Sequence, residues 1–189
     1  MKGIIEVLRR RRLRRRNMNQ DLIKKYIEIY GREIYSFCVY LTRSSEKADD
    51  LYQDTFLVAM EKGEIDENQN PKSYLITIAA NLWKNQKRKY AVRNKKANII
   101  YFQEENLEQL EDDSDSMEEQ IIKKDEIQIL RQLVDMLPDK LRIVILMYYM
   151  EEMSISDISE ALHIPVGTVK SRMNQAKTRL KERMNKYEG

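Results

Sequence analysis

Residues 101–122, YFQEENLEQLEDDSDSMEEQII, hold nine acids and no base. The middle of the segment, EDDSDS, has no apolar period. Its like charges repel and it has little to bury, so it is predicted to be a flexible tether. Any core must then be built on either side of it. A chain of 189 residues divided this way accommodates two small domains rather than one large one. Both flanks read as helical. Five glycines and three prolines are too few to turn the corners of a sheet protein. Apolar residues recur at helical spacing on each side. The predicted organisation is a basic N-terminal extension over 1–17, a helical domain over 18–97, an acidic linker over 98–120 and a second helical domain over 121–189.

The chain is poorly equipped for chemistry. Cys38 is the one cysteine and His163 the one histidine. That starves a disulfide framework, a cysteine or multi-histidine metal site, and a Ser-His-Asp triad. No catalytic residue, metal ligand or cofactor is expected, and the protein is not read as an enzyme. No run approaches the length of a membrane span. Ile4–Leu8 passes straight into arginines rather than forming a signal-peptide core. The expected location is the cytoplasm.

Charge is segregated although the net value is only +3. Residues 1–20 carry eight bases, seven of them in Arg9–Arg12 and Arg14–Arg16, against Glu6. Residues 81–97 hold seven bases and no acid, and residues 166–187 hold seven bases and one acid. A single such run is commonly a solvated face. Two of them inside helical patterns suit a long polyanionic ligand.

In the first domain, Asp21–Tyr30 and Arg32–Leu41 read as consecutive helices separated near Gly31. Ile34, Phe37, Cys38 and Leu41 form an apolar stripe, with Cys38 a small buried hydrophobe. Ser44 or Ser45 is expected to cap the next helix, which runs through Met60. In that helix Ala48, Leu51, Tyr52, Thr55, Phe56, Val58 and Ala59 share one inward face. The opposite face shows Asp49, Asp50, Gln53, Asp54 and Leu57. An apolar residue ringed by acids and an amide suits a protein-docking spot; the alternative is one exposed leucine on an acidic surface. After a loop with breakers Gly63 and Pro71, a helix opens at Pro71 or Ser73. Its first half rests on Tyr74, Leu75, Ile78, Ala79 and Leu82. Its second half carries Asn81, Lys84, Asn85 and Arg88 as a polar stripe, with Lys87 and Lys89 beside it. Amides bind base edges and cations neutralise phosphates. Trp83 and Tyr90 interleave with these bases. Their two readings are stacking on unpaired bases and, favoured for Trp83, core packing.

In the second domain, Ile121–Met136 is an amphipathic helix broken at Leu137-Pro138. Asp139 is read as the cap of the next helix. Ser154 with Asp157 approximates a capping box for a short helix on Ile155, Ile158 and Leu162. His163-Ile164-Pro165 makes a turn, and Gly167-Thr168 opens the last helix. Val169, Met173, Ala176, Leu180 and Met184 fall on one stripe there. Thr168, Lys170, Ser171, Arg172, Asn174, Gln175, Thr178 and Arg179 occupy the rest. A short helix, a tight turn and a two-sided basic helix make a helix-turn-helix. Lys170, Asn174 and Gln175 are base-reading types, while Arg172, Lys177, Arg179 and Lys181 are placed to meet phosphates. The expected fold class is thus all-α, two small helical domains on an acidic tether, the C-terminal one a helix-turn-helix.

Taken together, ADDLYQDTFLVAM (48–60), NPKSYLITIAANLWKNQKRK (70–89) and the segment from LPDKLRIVILMYYM (137–150) through GTVKSR (167–172) to Met184 resemble one family. It is the extracytoplasmic-function (ECF) type of bacterial RNA polymerase sigma factors, in the sigma-70 family. The match spans about three quarters of the chain in the family's order. GTVKSR alone occurs in other helix-turn-helix regulators; DLYQDTF ahead of the Asn-rich basic helix is more specific.

The resemblance implies a factor that binds core RNA polymerase and directs promoter-specific initiation. Asp49, Asp50, Gln53 and Asp54 would dock on the clamp helices of the largest subunit, with Leu57 added by its place on that face. Asn81, Lys84, Asn85, Lys87, Arg88 and Lys89 would read the −10 element as its strands separate. The loop 63–70 would receive a flipped non-template base. Lys170, Ser171, Asn174 and Gln175 would read the −35 element in duplex DNA, with Thr168 beside them and Arg172 and Arg179 on phosphates. The second domain would rest on the flap of the second-largest subunit. The resemblance also implies an anti-sigma partner, membrane-anchored in many relatives. Lys87-Arg88-Lys89 replaces a cluster that is mostly arginine in the family, and the Arg9–Arg16 run lies outside the family pattern. The competing reading is a helix-turn-helix regulator that acts without being a polymerase subunit.

Overall fold

The computed structural model describes residues 2–62, 70–97 and 128–187, with side chains over 20–62, 70–93 and 128–185. The loop at 63–69 and the acidic segment 101–122 lie outside the described residues, as do the side chains of the Arg9–Arg16 run. The described residues are helical, with no strand among them. The elements are α1 (Lys2–Thr42), α2 (Ser45–Lys62), α3 (Pro71–Ala97), α4 (128–135), α5 (Asp139–Ile145), α6 (Ile155–Leu162) and α7 (Val166–Tyr187), with a π-helical turn over Leu146–Met150. Two compact units are present. One comprises Met1–Cys38 with Glu46–Ile100, the other Val39–Ser45 with Tyr101–Gly189.

The first unit buries one face of each of its helices. Ile23, Tyr26, Ile34, Phe37 and Cys38 are buried on α1, and Ala48, Leu51, Phe56 and Ala59 on α2. On α3, Leu75, Ile76, Ile78, Ala79, Ala80 and Trp83 are buried. Ile76 and Ala80 widen the stripe expected from sequence, because this helix is covered on more than one side. The Thr55 hydroxyl is reconciled with burial by donating to the Leu51 carbonyl at 2.6 Å. Pro71 opens α3 at the position where a missing N–H costs nothing. Asn70 caps it, its Oδ1 accepting from the Lys72 and Ser73 amides.

One expectation is corrected here. No break separates two helices near Gly31; α1 passes through it without interruption. A Cβ at this position would lie 2.8 Å from the Tyr52 hydroxyl. Gly31 therefore marks a close approach between α1 and α2, not the end of a helix. Tyr52 is held edge-on between Tyr35 and Phe56, with ring centroids at 5.7 and 5.0 Å. Gly31→Ala should gain nothing in the native background, although Ala is favoured over Gly in a helix by about 0.5–1 kcal/mol. In a Tyr52→Phe background the same change should stabilise by roughly that amount, read from a denaturant double-mutant cycle. Equal effects in both backgrounds would refute the steric account.

The second unit packs α5 against α7. Leu137, Leu141, Ile145 and Ala176 form a buried cluster, with Leu180 against it. Arg142 is fully buried in the same unit. It donates to the carbonyls of Leu41 at 2.9 Å and Leu137 at 3.1 Å, to that of Asp135 at 3.3 Å, and to the Asp139 carboxylate. This corrects the reading of Asp139 as a helix cap. Pro138 occupies the cap position without a side-chain bond, and the Asp139 carboxylate turns to Arg142 instead. A buried guanidinium is a stronger draw for a carboxylate than a solvated amide.

Asp135 has the opposite problem. Its Oδ1 is buried without a hydrogen-bond partner. Burial raises its pKa above the ordinary 3.8, although Arg142 and Arg43 pull it down. In the window between the ordinary and the raised value the folded unit holds a proton that the unfolded chain has lost. Stability therefore falls as pH rises through the window. Asp135→Asn is expected to stabilise this unit at neutral pH by up to about 1 kcal/mol, an advantage that shrinks on acidification. Thermal melts at neutral and acid pH test this; a loss of stability at neutral pH would contradict it.

Candidate nucleic-acid and protein interfaces

On α2 the buried and exposed faces divide cleanly. Asp49, Asp50, Gln53 and Asp54 are exposed, and Leu57 is 51% exposed beside them. Glu46 in the first turn and Lys62 in the last suit the helix dipole. Tyr35, which sequence reasoning missed, joins this face from α1. Its hydroxyl bonds to Asp49, and burial followed by that bond raises its pKa. Gly31, Arg32, Tyr35, Asp49, Tyr52 and Gln53 line an open hollow of about 470 Å³. The face is thus acidic, with one apolar residue and an aromatic-edged depression.

On α3, Lys84, Asn85, Lys87, Arg88 and Lys89 are exposed, and Asn81 is half-buried. The Asn81 amide nitrogen donates to the Thr77 carbonyl at 3.0 Å, which fixes the orientation of its side chain. Trp83 is 6% exposed, so the core reading of this residue holds. The Lys87 ammonium lies over its ring, 4.7 Å from the centroid. Tyr90 is exposed.

In the second unit Ser154 and Asp157 close a full capping box. The Ser154 hydroxyl accepts from the Asp157 amide, and the Asp157 carboxylate accepts from the Ser154 amide. His163 ends α6 in the left-handed conformation, φ 52° and ψ 50°, so its place is structural. The Ser159 hydroxyl donates to the Ile164 carbonyl at 2.6 Å and tightens the turn. After it α7 starts at Val166 and buries Val169, Met173 and Ala176. Met184 departs from the expected stripe and is 40% exposed, since the helix outruns its support. Lys170, Ser171, Asn174, Gln175, Thr178 and Arg179 point outward; Thr168 and Arg172 are half-buried. The Gln175 amide donates to the Ser171 hydroxyl at 3.1 Å, so the two side chains are coupled. Lys177 sits over the Tyr149 ring, and a hydrogen bond with Tyr149 raises its pKa. The π-helical turn, closed by the Glu151 amide to the Leu146 carbonyl, carries Tyr149.

This geometry defines, by class, a DNA-binding protein with a helix-turn-helix in its second unit and a separate acidic face in its first. The "Sigma-70 region 2" family matches residues 26–93, and "Sigma-70, region 4" matches residues 127–180. Together they cover more than half of the chain. The ECF RNA polymerase sigma factor SigW of Bacillus subtilis strain 168 is 29% identical over 174 residues, covering 88% of this chain and 90% of its own length. SigM of the same strain is 24% identical over 164 residues, covering 87% of this chain and 96% of its own. The fold is also that of the sigma factor RpoE from Bartonella quintana, solved with the anti-sigma factor NepR. The TM-score is 0.69 at 23% identity, over 86% of this chain and 96% of that one. CnrH, solved with the cytosolic domain of CnrY, gives 0.60 at 17% identity over 92% and 94%.

The chain belongs to the sigma-70 family, as an ECF-type RNA polymerase sigma factor. It binds core RNA polymerase and directs promoter recognition, and it is not itself an enzyme. The region 2 match removes the rival reading, a helix-turn-helix regulator acting outside polymerase. No helix among the described residues is long and apolar enough to cross a membrane.

Proposed function

We propose that the two units divide promoter recognition between them. Asp49, Asp50, Gln53, Asp54 and Leu57 on α2 dock on the clamp helices of the largest polymerase subunit. The α3 stripe, Asn81, Lys84, Asn85, Lys87, Arg88 and Lys89, holds the −10 element while its strands separate. Capture of unpaired bases offsets an unstacking cost of a few kcal/mol. On α7, Lys170, Ser171, Asn174 and Gln175 read the −35 element beside Thr168, with Arg172 and Arg179 on the flanking phosphates. The second unit rests on the flap of the second-largest subunit. Residues 98–120 act as a tether that lets both contacts form, and the second contact gains effective concentration from the first.

The observation that carries the reading is the two-sidedness of α7. Val169, Met173 and Ala176 are buried while Lys170, Asn174 and Gln175 stand exposed after a fixed turn. A helix presented this way enters a major groove. An anti-sigma partner is part of the proposal, since RpoE was solved with the anti-sigma factor NepR, and CnrH was solved with the cytosolic domain of CnrY.

The test is run-off transcription with core polymerase, the full chain and a library of promoter-like duplexes, followed by sequencing of the transcripts. Chain-dependent initiation at a shared two-part motif is the expected result. Tight palindromic binding by the chain alone, with no initiation, would overturn it.

A further inference from the structure

We propose that the N-terminal arm of α1 is a sequence-independent DNA-binding element, in which the arginines at 9–12 and 14–16 grip the phosphate backbone of duplex DNA beside the −10 element. The choice of DNA rests on the promoter reading above. The arm itself lies outside that reading, since the region 2 match begins only at residue 26.

The backbone of α1 runs unbroken from Lys2 to Thr42. Its apolar buried positions include Ile23, Tyr26, Ile34, Phe37, Cys38 and Leu41. Carried back toward the N-terminus at about 3.6 residues per turn, the register of Ile23 falls on Arg16, Arg12 and Arg9. The apolar stripe that seats α1 in the first unit therefore has no counterpart in the arm. The arm also works against itself as an isolated helix. Arg9 with Arg12, Arg11 with Arg14 and Arg12 with Arg15 stand three apart, and Arg10 with Arg14, Arg11 with Arg15 and Arg12 with Arg16 four apart. Each is a like-charged pair that destabilises a helix. Glu6 is the one acid within four residues of the run. A helix that the core does not seat and its own charges oppose calls for countercharge from outside.

Two further observations say what supplies it. The run holds seven arginines and no lysine, whereas the rest of the chain has 18 lysines and 9 arginines. The arginine fork matches phosphate oxygens in pairs, which the lysine point charge does not. Charge density is the second. At about 1.5 Å of rise per residue the run places one positive charge every ~1.5 Å of helix axis, and a duplex carries one negative charge every ~1.7 Å, against about 3.4 Å along a single strand. The arm and a duplex are thus of nearly equal and opposite linear charge. A membrane surface fits less well. It needs a helix with an apolar face, and here the register distributes the seven positions around the full circumference, with Leu13 the one apolar residue among them. Such an arm carries no amide or other base-reading type within the run, so it holds the backbone and reads no sequence. Because α1 continues into the unit that holds α3, the duplex it meets is the one next to the −10 element.

The experiment compares the full chain with one carrying Arg9→Gln, Arg10→Gln, Arg11→Gln, Arg12→Gln, Arg14→Gln, Arg15→Gln and Arg16→Gln together, glutamine being a good helix former. Each is titrated alone, over a range of salt, against a short DNA duplex without promoter motif, against duplex RNA and against vesicles of phosphatidylcholine and phosphatidylserine. Each is then assembled with core polymerase on a promoter recovered by the run-off selection. A duplex lying along one side of the arm engages about half of the seven cations. The glutamine chain should therefore show a salt slope on DNA smaller by about 3 and an affinity at least about tenfold weaker at moderate salt. The loss should recur in the holoenzyme, with the recovered motif and the affinity for core polymerase unchanged. The seven positions changed to lysine instead should keep the native slope. An unchanged slope on DNA would overturn the arm. So would tighter binding to duplex RNA or to the vesicles than to DNA, or a changed motif, which would make the run a base reader. Failure of the unaltered factor to initiate would bring down the promoter reading alone, because the salt slope on motif-free DNA reports on the arm without it.

Discussion

Arg142→Met is expected to cost the second unit about 3–5 kcal/mol, the usual penalty for removing one partner from a buried charged network. The guanidinium has no exposure to solvent, and it serves the carbonyls of Leu41, Leu137 and Asp135 and the Asp139 carboxylate at once. Methionine fills much of the volume and satisfies none of these acceptors. Buried carbonyls without donors carry their full desolvation cost. A small domain is stable by only about 0.05–0.15 kcal/mol per residue, so the loss takes a large share of what the unit has. Arg142→Lys should recover little, because a single ammonium cannot span acceptors that a planar fork reaches together. Trp83, the chain's one tryptophan, is buried in the first unit and gives a built-in control. In urea, the Trp83 fluorescence transition should stay in place while part of the far-ultraviolet circular dichroism transition moves to lower denaturant. Coincident native curves for both signals would show that the network contributes little.

Arg142 also shows where sequence reading stops. In DKLRIVI an arginine looks like one more solvated base, because periodicity reports which face is apolar and not what lies across from it. Its acceptors include a carbonyl 101 residues away. Gly31 misled in another way. A glycine between two helical patterns fits a break and a close approach equally well, and only the Tyr52 hydroxyl decides between them. What was legible is what one helix specifies by itself. The capping box of Ser154 and Asp157 is a local bond pattern. The exposure of Asp49, Asp50, Gln53 and Asp54 follows from the apolar face opposite. The burial of Trp83 and of the Val169, Met173 and Ala176 stripe follows from the same period. The all-α class follows from such local signals, whereas Tyr35 joined the α2 face through a contact between helices.

Reversing two charges on α2, as Asp50→Lys with Asp54→Lys, is expected to abolish transcription without unfolding the chain. Both carboxylates are exposed, and the buried Leu51, Thr55 and Phe56 on the other face are untouched. Helix propensity changes little, since lysine is the better helix former. The effect therefore falls on binding. An interfacial charge pair that loses one partner typically costs about 2–5 kcal/mol, and a reversed charge adds repulsion to that loss. Affinity for core polymerase should fall by at least about thirtyfold, and toward a thousandfold if the two sites contribute together. Leu57→Ala probes the apolar part of the same face and should cost about 1–2 kcal/mol if it enters a pocket at the centre of the contact. The proper readout is direct binding of labelled chain to core polymerase, with melting curves recorded on the same variants. Transcription alone would not separate docking from DNA contact. Asn85→Ala and Lys170→Ala serve as the counterpart, since they should lower initiation while binding core polymerase at native strength. If the doubly reversed chain melts like the native one and still binds core polymerase as tightly, the acidic face of α2 is not the docking surface. The exposed Leu57 would then be what a lone surface leucine usually is, and the contact with polymerase would have to be sought on another helix.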